Sequence, residues 1–320
     1  MSSRRFAPFA WGVFAYSLAV ILWGYFLRIS ESGDGCGTDW PLCHGAVVPE
    51  APPFATFVEF THRLSSGLVL ILVVVMAIWA FRAFPKGAPV RKGAAASLLF
   101  TLTESLVGAV LVVLGWVATD VSLGRIIIRP FHVTNTFLLM AALALTAWWA
   151  HRGIGHHLPA LREATRGRAR TTLLPLLGVL ALAWTGSWTG LATTAFPAET
   201  LRDGLGQYLT PEHLLIYLRV SHPVLAVLVV ALIFRMVSKL YQGGLSGAAR
   251  PLAFGVGGLA LAQILFGPLV IALGNPVWAR LFHLFLADLL WIGLVLLAAT
   301  LVEGAPAPPE TAPDRLGMPA

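Results

Sequence analysis

Charge is scarce in this chain. Asp, Glu, Lys and Arg make up 12% of its 320 residues, against about 25% in an ordinary soluble domain. With 57% hydrophobic residues, that scarcity excludes a water-soluble globular enzyme, a disordered chain and a coiled coil. Acidic residues number 15 against 22 basic ones. The excess of +7 is scattered between apolar runs instead of gathered on one face, so no nucleic-acid partner is expected. Cysteine is nearly missing. Cys36 and Cys43 are the whole supply, which excludes a disulfide scaffold and leaves room for one bridge in an oxidising compartment.

What the chain has instead is long apolar runs. A helix needs about 20 apolar residues to cross the hydrocarbon core of a bilayer. Eight stretches are long enough, roughly 9–29, 62–82, 94–118, 130–150, 172–194, 216–237, 252–274 and 279–302. The sequence therefore predicts an all-α integral membrane protein with eight transmembrane helices. The first run is read as a retained span, because no small-residue cleavage site follows it. The tail at 304–320, rich in Pro and Ala, is expected to be disordered. Lys and Arg favour the cytoplasmic side. Most of them, from Arg4 and Arg5 through Arg82, Lys86, Arg91 and Lys92 to Arg162–Arg170, Arg235, Lys239 and Arg250, fall on one side of this alternation. That bias puts both termini in the cytoplasm of a bacterial cell membrane, with a basic cytoplasmic loop at 151–171. The loops 30–60, 119–129, 195–215 and 275–279 then lie outside.

The second half echoes the first. Thr61-His62 and Ser221-His222 open matching spans at an offset of 160, and Glu104-x-x-x-Gly108 is matched by Gln263-x-x-x-Gly267 at 159. Arg129-Pro-Phe-His132 is matched by Arg280-Leu-Phe-His283 at 151. These matches predict two pseudo-symmetric four-helix bundles, 1–150 and 172–303, parallel in topology.

Four of the nine histidines, His62, His132, His222 and His283, lie near the outer starts of the even-numbered spans. They thus share one membrane depth, in two pairs, one per repeat. Ionisable residues inside spans are costly and mark function. Two imidazoles facing each other across a four-helix bundle are the axial ligands of a haem iron, and four in duplicated positions favour that reading over four unrelated interfacial anchors. Arg129 and Arg280 stand three residues before His132 and His283, on the same helix face, where a guanidinium can hold a haem propionate. Arg63 and Arg28 are further propionate candidates, against the plainer reading of interfacial arginines.

Other features break the symmetry. Glu59 precedes His62 by three residues, and Arg219 stands at the matching place before His222. A carboxylate beside one pocket can act as acid, base or proton relay, so one pocket is expected to work on a substrate while the other holds a cofactor. Glu104 is read as helix packing. Cys36 and Cys43 enclose six residues, a spacing of neither a redox C-x-x-C nor a covalent haem site. On the oxidising outer side they are expected to pair, as a stiffener of the loop or as an exchangeable bridge.

The segment from Arg28 through Cys36-Gly-Thr-Asp-Trp-Pro-Leu-Cys43, followed by Glu59-Phe-Thr-His62-Arg63, resembles the haem A synthase family. The pattern of spans and histidines extends the resemblance over nearly the whole chain. It implies oxidation of a methyl group of haem O to the formyl group of haem A, for terminal oxidase biogenesis. It further implies haem b on His222 and His283, substrate haem O on His62 and His132, catalysis by Glu59, and a Cys36–Cys43 disulfide. A haem O synthase (a farnesyltransferase) is then an expected neighbour; no sequence feature specifies the electron acceptor or a homo-oligomer. The chain departs from the family in lacking a second cysteine pair, in Glu104 where Gln is frequent, and in Pro223 where Arg often follows the histidine. The competing readings are a non-catalytic haem-binding assembly protein, which has no need of Glu59, and a b-type electron-transfer protein, which would place its haems at two depths.

Overall fold

The computed structural model describes residues 3–118, 120–154, 167–198 and 200–303. These residues are helical, with no strand beyond one isolated bridge between Cys43 and Ala46. In chain order the helices are α1 (Ser3–Ile29), α2 (Phe54–Ala83), α3 (Pro89–Val113), α4 (Leu123–Arg152), a 3-10 turn (Gly167–Thr172), α5 (Leu173–Ala195), α6 (Leu201–Leu209), α7 (Leu214–Arg219), α8 (Ser221–Gln242), α9 (Ala249–Ala272) and α10 (Val277–Glu303). Eight segments are long and apolar enough to cross a membrane, α7 and α8 running on as one, Leu214–Gln242. Most of the basic loop expected at 151–171, and the tail at 304–320, lie outside the described residues.

The first four helices begin earlier than hydropathy suggests, α2 and α4 by the most. α2 starts at Phe54 and α4 at Leu123. Their first two turns carry polar residues such as Glu59 and Arg125, which dilute the apolar signal while the backbone is already helical. α2 starts directly after Pro53, and the Ser122 side chain caps α4 by accepting the Arg125 backbone N–H at 3.4 Å. The stretch 195–215, expected as loop, holds the short helix α6, and α7 begins at its end. α6 opens on a capping box between Thr200 and Asp203.

In the first half α1 packs on α2 and α4, and α3 packs on the same two. In the second half α5 packs on α8 and α10, and α9 on the same two, so the same cyclic order of neighbours recurs. The halves meet where α4 touches α5 and α10 and where α1 touches α10. α4 and α10 are the most buried spans. Outward faces carry exposed aliphatic stripes, such as Leu64, Leu68, Ile71, Val75 and Ile78 on α2, which suit lipid contact. Helices in lipid associate through close packing and polar contacts. A Cβ on Gly93 would lie 2.4 Å from the Thr146 hydroxyl, which is how closely α3 approaches α4.

Prolines free two carbonyls beside α5, one across the seam and one within the second half, and α5 satisfies both. Pro130 has no N–H for Ile126, whose carbonyl accepts from Trp188 Nε1 at 3.0 Å. Pro223 breaks the run between α7 and α8 and frees the Arg219 carbonyl, which accepts from Thr189 Oγ1 at 3.2 Å. Trp291 Nε1 of α10 donates to the Phe137 carbonyl of α4 at 2.6 Å. An unpaired carbonyl in hydrocarbon costs several kcal/mol, so these bonds fix the histidine-bearing helices against the seam.

Candidate functional site

His222 on α8 and His283 on α10 face each other, with ring centres 6.5 Å apart and planes at 84°. An imidazole nitrogen bonds a transition metal at about 2 Å, so two rings on one metal have centres roughly 6 Å apart. The spacing therefore suits a single metal between them. Thr185 Oγ1 donates to the Leu182 carbonyl and lies 3.2 Å from His222 Nδ1. A hydroxyl has one proton to give, so the imidazole Nδ1–H donates to it and Nε2 keeps a bare lone pair. Phe266 stacks on His283 at 6.5 Å and 20°. Among the described residues no group of three or more His, Cys, Asp or Glu is set to hold a metal ion. A pair of neutral imidazoles is the protein's share of an iron whose other ligands come from a porphyrin.

Each of the four histidines lies against a glycine of the preceding span. A Cβ on Gly186 of α5 would meet the His222 ring at 3.0 Å, and one on Gly267 of α9 the His283 ring at 3.5 Å. In the first half, a Cβ on Gly24 of α1 would meet the His62 ring at 2.7 Å, and one on Gly108 of α3 the His132 ring at 4.0 Å. His62 and His132 are within electrostatic reach of each other. Nδ1 of His62, His132 and His283 is sealed from solvent without a partner. The residues present thus fit a bis-imidazole haem site: two facing imidazoles, a free Nε2 lone pair on His222, and room made for the rings by glycine.

The halves differ in what surrounds the ligands. Glu104 of α3 accepts from Thr136 Oγ1 at 2.5 Å and from Asn135 Nδ2 at 2.6 Å, and its Oε1 lies 3.6 Å from His132 Nε2. Its counterpart Gln263 turns to the backbone instead, donating to the His283 carbonyl at 2.9 Å. Glu104 therefore ties α3 to α4 through Asn135 and Thr136, as its packing reading expects, and stands beside the His132 ring.

Glu59 is buried on α2, and both its oxygens are engaged. Oε2 accepts the Cys36 backbone N–H at 2.8 Å, and Oε1 accepts from Arg63. The Arg63 guanidinium also donates to the carbonyls of Gly37, Asp39 and Leu42. Taken from the sequence as a propionate candidate, it spends its donors on this loop. Cys36 and Cys43 are bridged, as expected, and Thr56 Oγ1 donates to the Gly35 carbonyl at 2.5 Å. Arg219, at the matching place in the second half, ties down its own loop through Gln207 and the carbonyls of Ala192 and Phe196.

Of the other arginine candidates, Arg280 donates to Thr194 Oγ1 at 3.0 Å and Arg28 lies over the Tyr25 ring at 5.9 Å. Arg129 has a buried Nε without a partner and sits within electrostatic reach of Arg28, Arg125 and Arg280. Sequence reasoning missed Thr185, Asn135 and Thr136, which carry no motif. It also missed Asp288 of α10, 2% exposed with Oδ2 unpartnered; its one signal is a lone carboxylate in an apolar run.

The sequence profile of the COX15-CtaA family, described as cytochrome oxidase assembly protein, matches residues 7–295. Proteins of two Thermus thermophilus strains, each named protoheme IX farnesyltransferase, are 44% identical over 304 residues, which is 93% of this chain and 49% of theirs. The chain thus spans about half the length of these relatives. A protein of an Exiguobacterium species named heme A synthase is 37% identical over 117 residues, 37% of this chain and 38% of its own. One of the same name from Halalkalibacterium halodurans is 40% identical over 96 residues, 30% of this chain and 32% of its own.

Proposed function

The chain belongs to the COX15-CtaA family of cytochrome oxidase assembly proteins, and we propose that it is a membrane enzyme that oxidises a ring methyl group of haem O to the formyl group of haem A. The observation that carries this reading is the His222–His283 pair at 6.5 Å, with glycines behind both rings and the same glycine–histidine order around His62 and His132. The relatives named heme A synthase support the reaction class. The Thermus relatives, named for farnesyl transfer, devote about half their length to a region like this chain. That supports a farnesylated haem as the substrate handed on, and a farnesyltransferase as its source.

In this reading the first four helices take the substrate haem and the last four hold haem b. His62 and His132 bind the substrate iron and so fix the reacting methyl group. A haem bound by His222 and His283 supplies one-electron chemistry. Glu59 is the acid–base group, held at a fixed place by Cys36 N–H and Arg63. Arg28 and Arg280 hold propionate carboxylates at the loop end of the bundle, which is the outer side of the cell membrane. Haem O enters sideways from the lipid, where its farnesyl tail is soluble.

The test is product analysis. The chain, co-expressed with a haem O source, should yield formylated haem by extraction and mass measurement. Glu59→Ala should keep the haem absorbance and lose the product. A carrier without catalysis would bind haem O and never change its mass. Unchanged product from Glu59→Ala would remove that residue from the chemistry.

A further inference from the structure

Arg129 stands three residues before His132, and its place in the sequence assigns it to the first-half site. Its guanidinium lies elsewhere. A Cβ built on Gly190 of α5 would be 3.5 Å from Arg129 Nη2, so the group rests on the backbone of a second-half helix. Gly190 is one step on a regular strip. Gly186, four residues earlier, backs the His222 ring, and Thr194, four residues later, accepts from Arg280 at 3.0 Å. Residues four apart share a helix face and are separated by about 6 Å along the axis. The imidazole of His222, the guanidinium of Arg129 and that of Arg280 therefore follow one another along a single face of α5, toward the loop end.

Arg129 is also short of a hydrogen-bond partner, as is Arg28, which lies over the Tyr25 ring. Arg125 donates to the carbonyls of Val117 and Asp120, Arg219 to its loop, and Arg280 to Thr194. No carboxylate among the described residues is hydrogen-bonded to Arg129, and its Nε is sealed without an acceptor. Three further arginines lie within electrostatic reach. A buried cation left unpaired among like charges is costly, and an anion reaching this strip removes that cost.

We propose that Arg129, carried by the first four helices, is a carboxylate ligand of the haem held between His222 and His283 in the last four. The assignment rests on the haem reading above. It makes the second-half site incomplete without α4, and it puts a shared group at the seam between the two tetrapyrroles.

The test uses the full chain in nanodiscs with His62 and His132 both replaced by Ala, so that His222 and His283 alone take added haemin. Soret absorbance gives the affinity. Arg129→Gln in that background should weaken binding about tenfold or more, as loss of one charge-assisted hydrogen bond does. Arg129→Lys should recover part of it. With haemin dimethyl ester, whose propionates carry no charge, Arg129→Gln should make little further difference, which a merely structural role would not produce. The midpoint potential of the bound haem should fall in Arg129→Gln, because a nearby positive charge disfavours the oxidised iron. Unchanged affinity in this background overturns the proposal. So does weakening seen only when His222 and His283 are the pair removed, which returns Arg129 to the first half. If the parent background gives no bis-histidine spectrum at all, the haem reading itself falls and the proposal with it.

Discussion

The backbone N–H of Cys36 donates to Glu59 Oε2 at 2.8 Å, so the disulfide loop and the candidate catalytic carboxylate are one unit. Arg63 closes the unit from the other side, bonding Glu59 and the loop carbonyls together. Replacing Cys36 and Cys43 by Ser together should loosen the loop and misplace Glu59. Small misplacements cost roughly a hundredfold in well-oriented reactions. Haem A formation should fall by about tenfold to a hundredfold, while haem bound at His222 and His283 is retained. The product ratio from extracted haems, set beside the absorbance spectrum, checks this.

The four glycines facing the histidines are graded in clearance, and their alanine variants should be graded in effect. Gly24→Ala puts a methyl 2.7 Å from the His62 ring and Gly186→Ala puts one 3.0 Å from the His222 ring, so both rings must shift. Gly267→Ala and Gly108→Ala meet their rings at 3.5 and 4.0 Å, which is ordinary contact. Haem titration should show the first two weakened, each at its own site, and the last two close to parent. Equal losses in all four would mean that helix packing, and not ring placement, is what the glycines serve.

The spans were legible because eight apolar runs of bilayer length leave few alternatives. The starts of α2 and α4 were not, since Glu59, Arg125 and Arg129 dilute hydropathy where the helix has already begun. The four histidines of the candidate site could be singled out from their repeated offsets. The use of Arg63 could not, because its partners Gly37, Asp39 and Leu42 lie more than 20 residues away and reach it only once the loop folds back. Arg129 shows the same limit: its spacing points to His132, and only packing across the seam brings it to Gly190.

Glu104 and Gln263 occupy matching places yet do different work, which gives a variant with a defined reference. In Glu104→Gln the new amide N–H can donate to Thr136 Oγ1, whose own proton turns to the His132 carbonyl at 3.0 Å, while the amide oxygen still accepts from Asn135 Nδ2. Each buried polar group keeps a partner, and what is lost is the carboxylate beside His132. The melting temperature should change little, and a change in haem affinity should be confined to the His62–His132 site. Equal loss at both sites would separate Glu104 from His132.

Trp188 and Thr189 are adjacent on α5, and each caps a carbonyl that a proline has freed, Ile126 beneath Pro130 and Arg219 beneath Pro223. Trp188→Phe keeps most of the ring's packing and removes only the N–H. The Ile126 carbonyl then loses this donor in a seam closed by Leu191, Ala192 and Leu215. A loss of about 1–3 kcal/mol is expected. Thr189→Val, close in shape, should cost about as much at Arg219. These carbonyls lie two turns and one turn before His132 and His222. If the bonds also hold the ligand-bearing helices in place, each variant should weaken haem only at the histidine whose helix it caps. A fall in thermal stability with unchanged affinity at both sites would restrict the two bonds to folding.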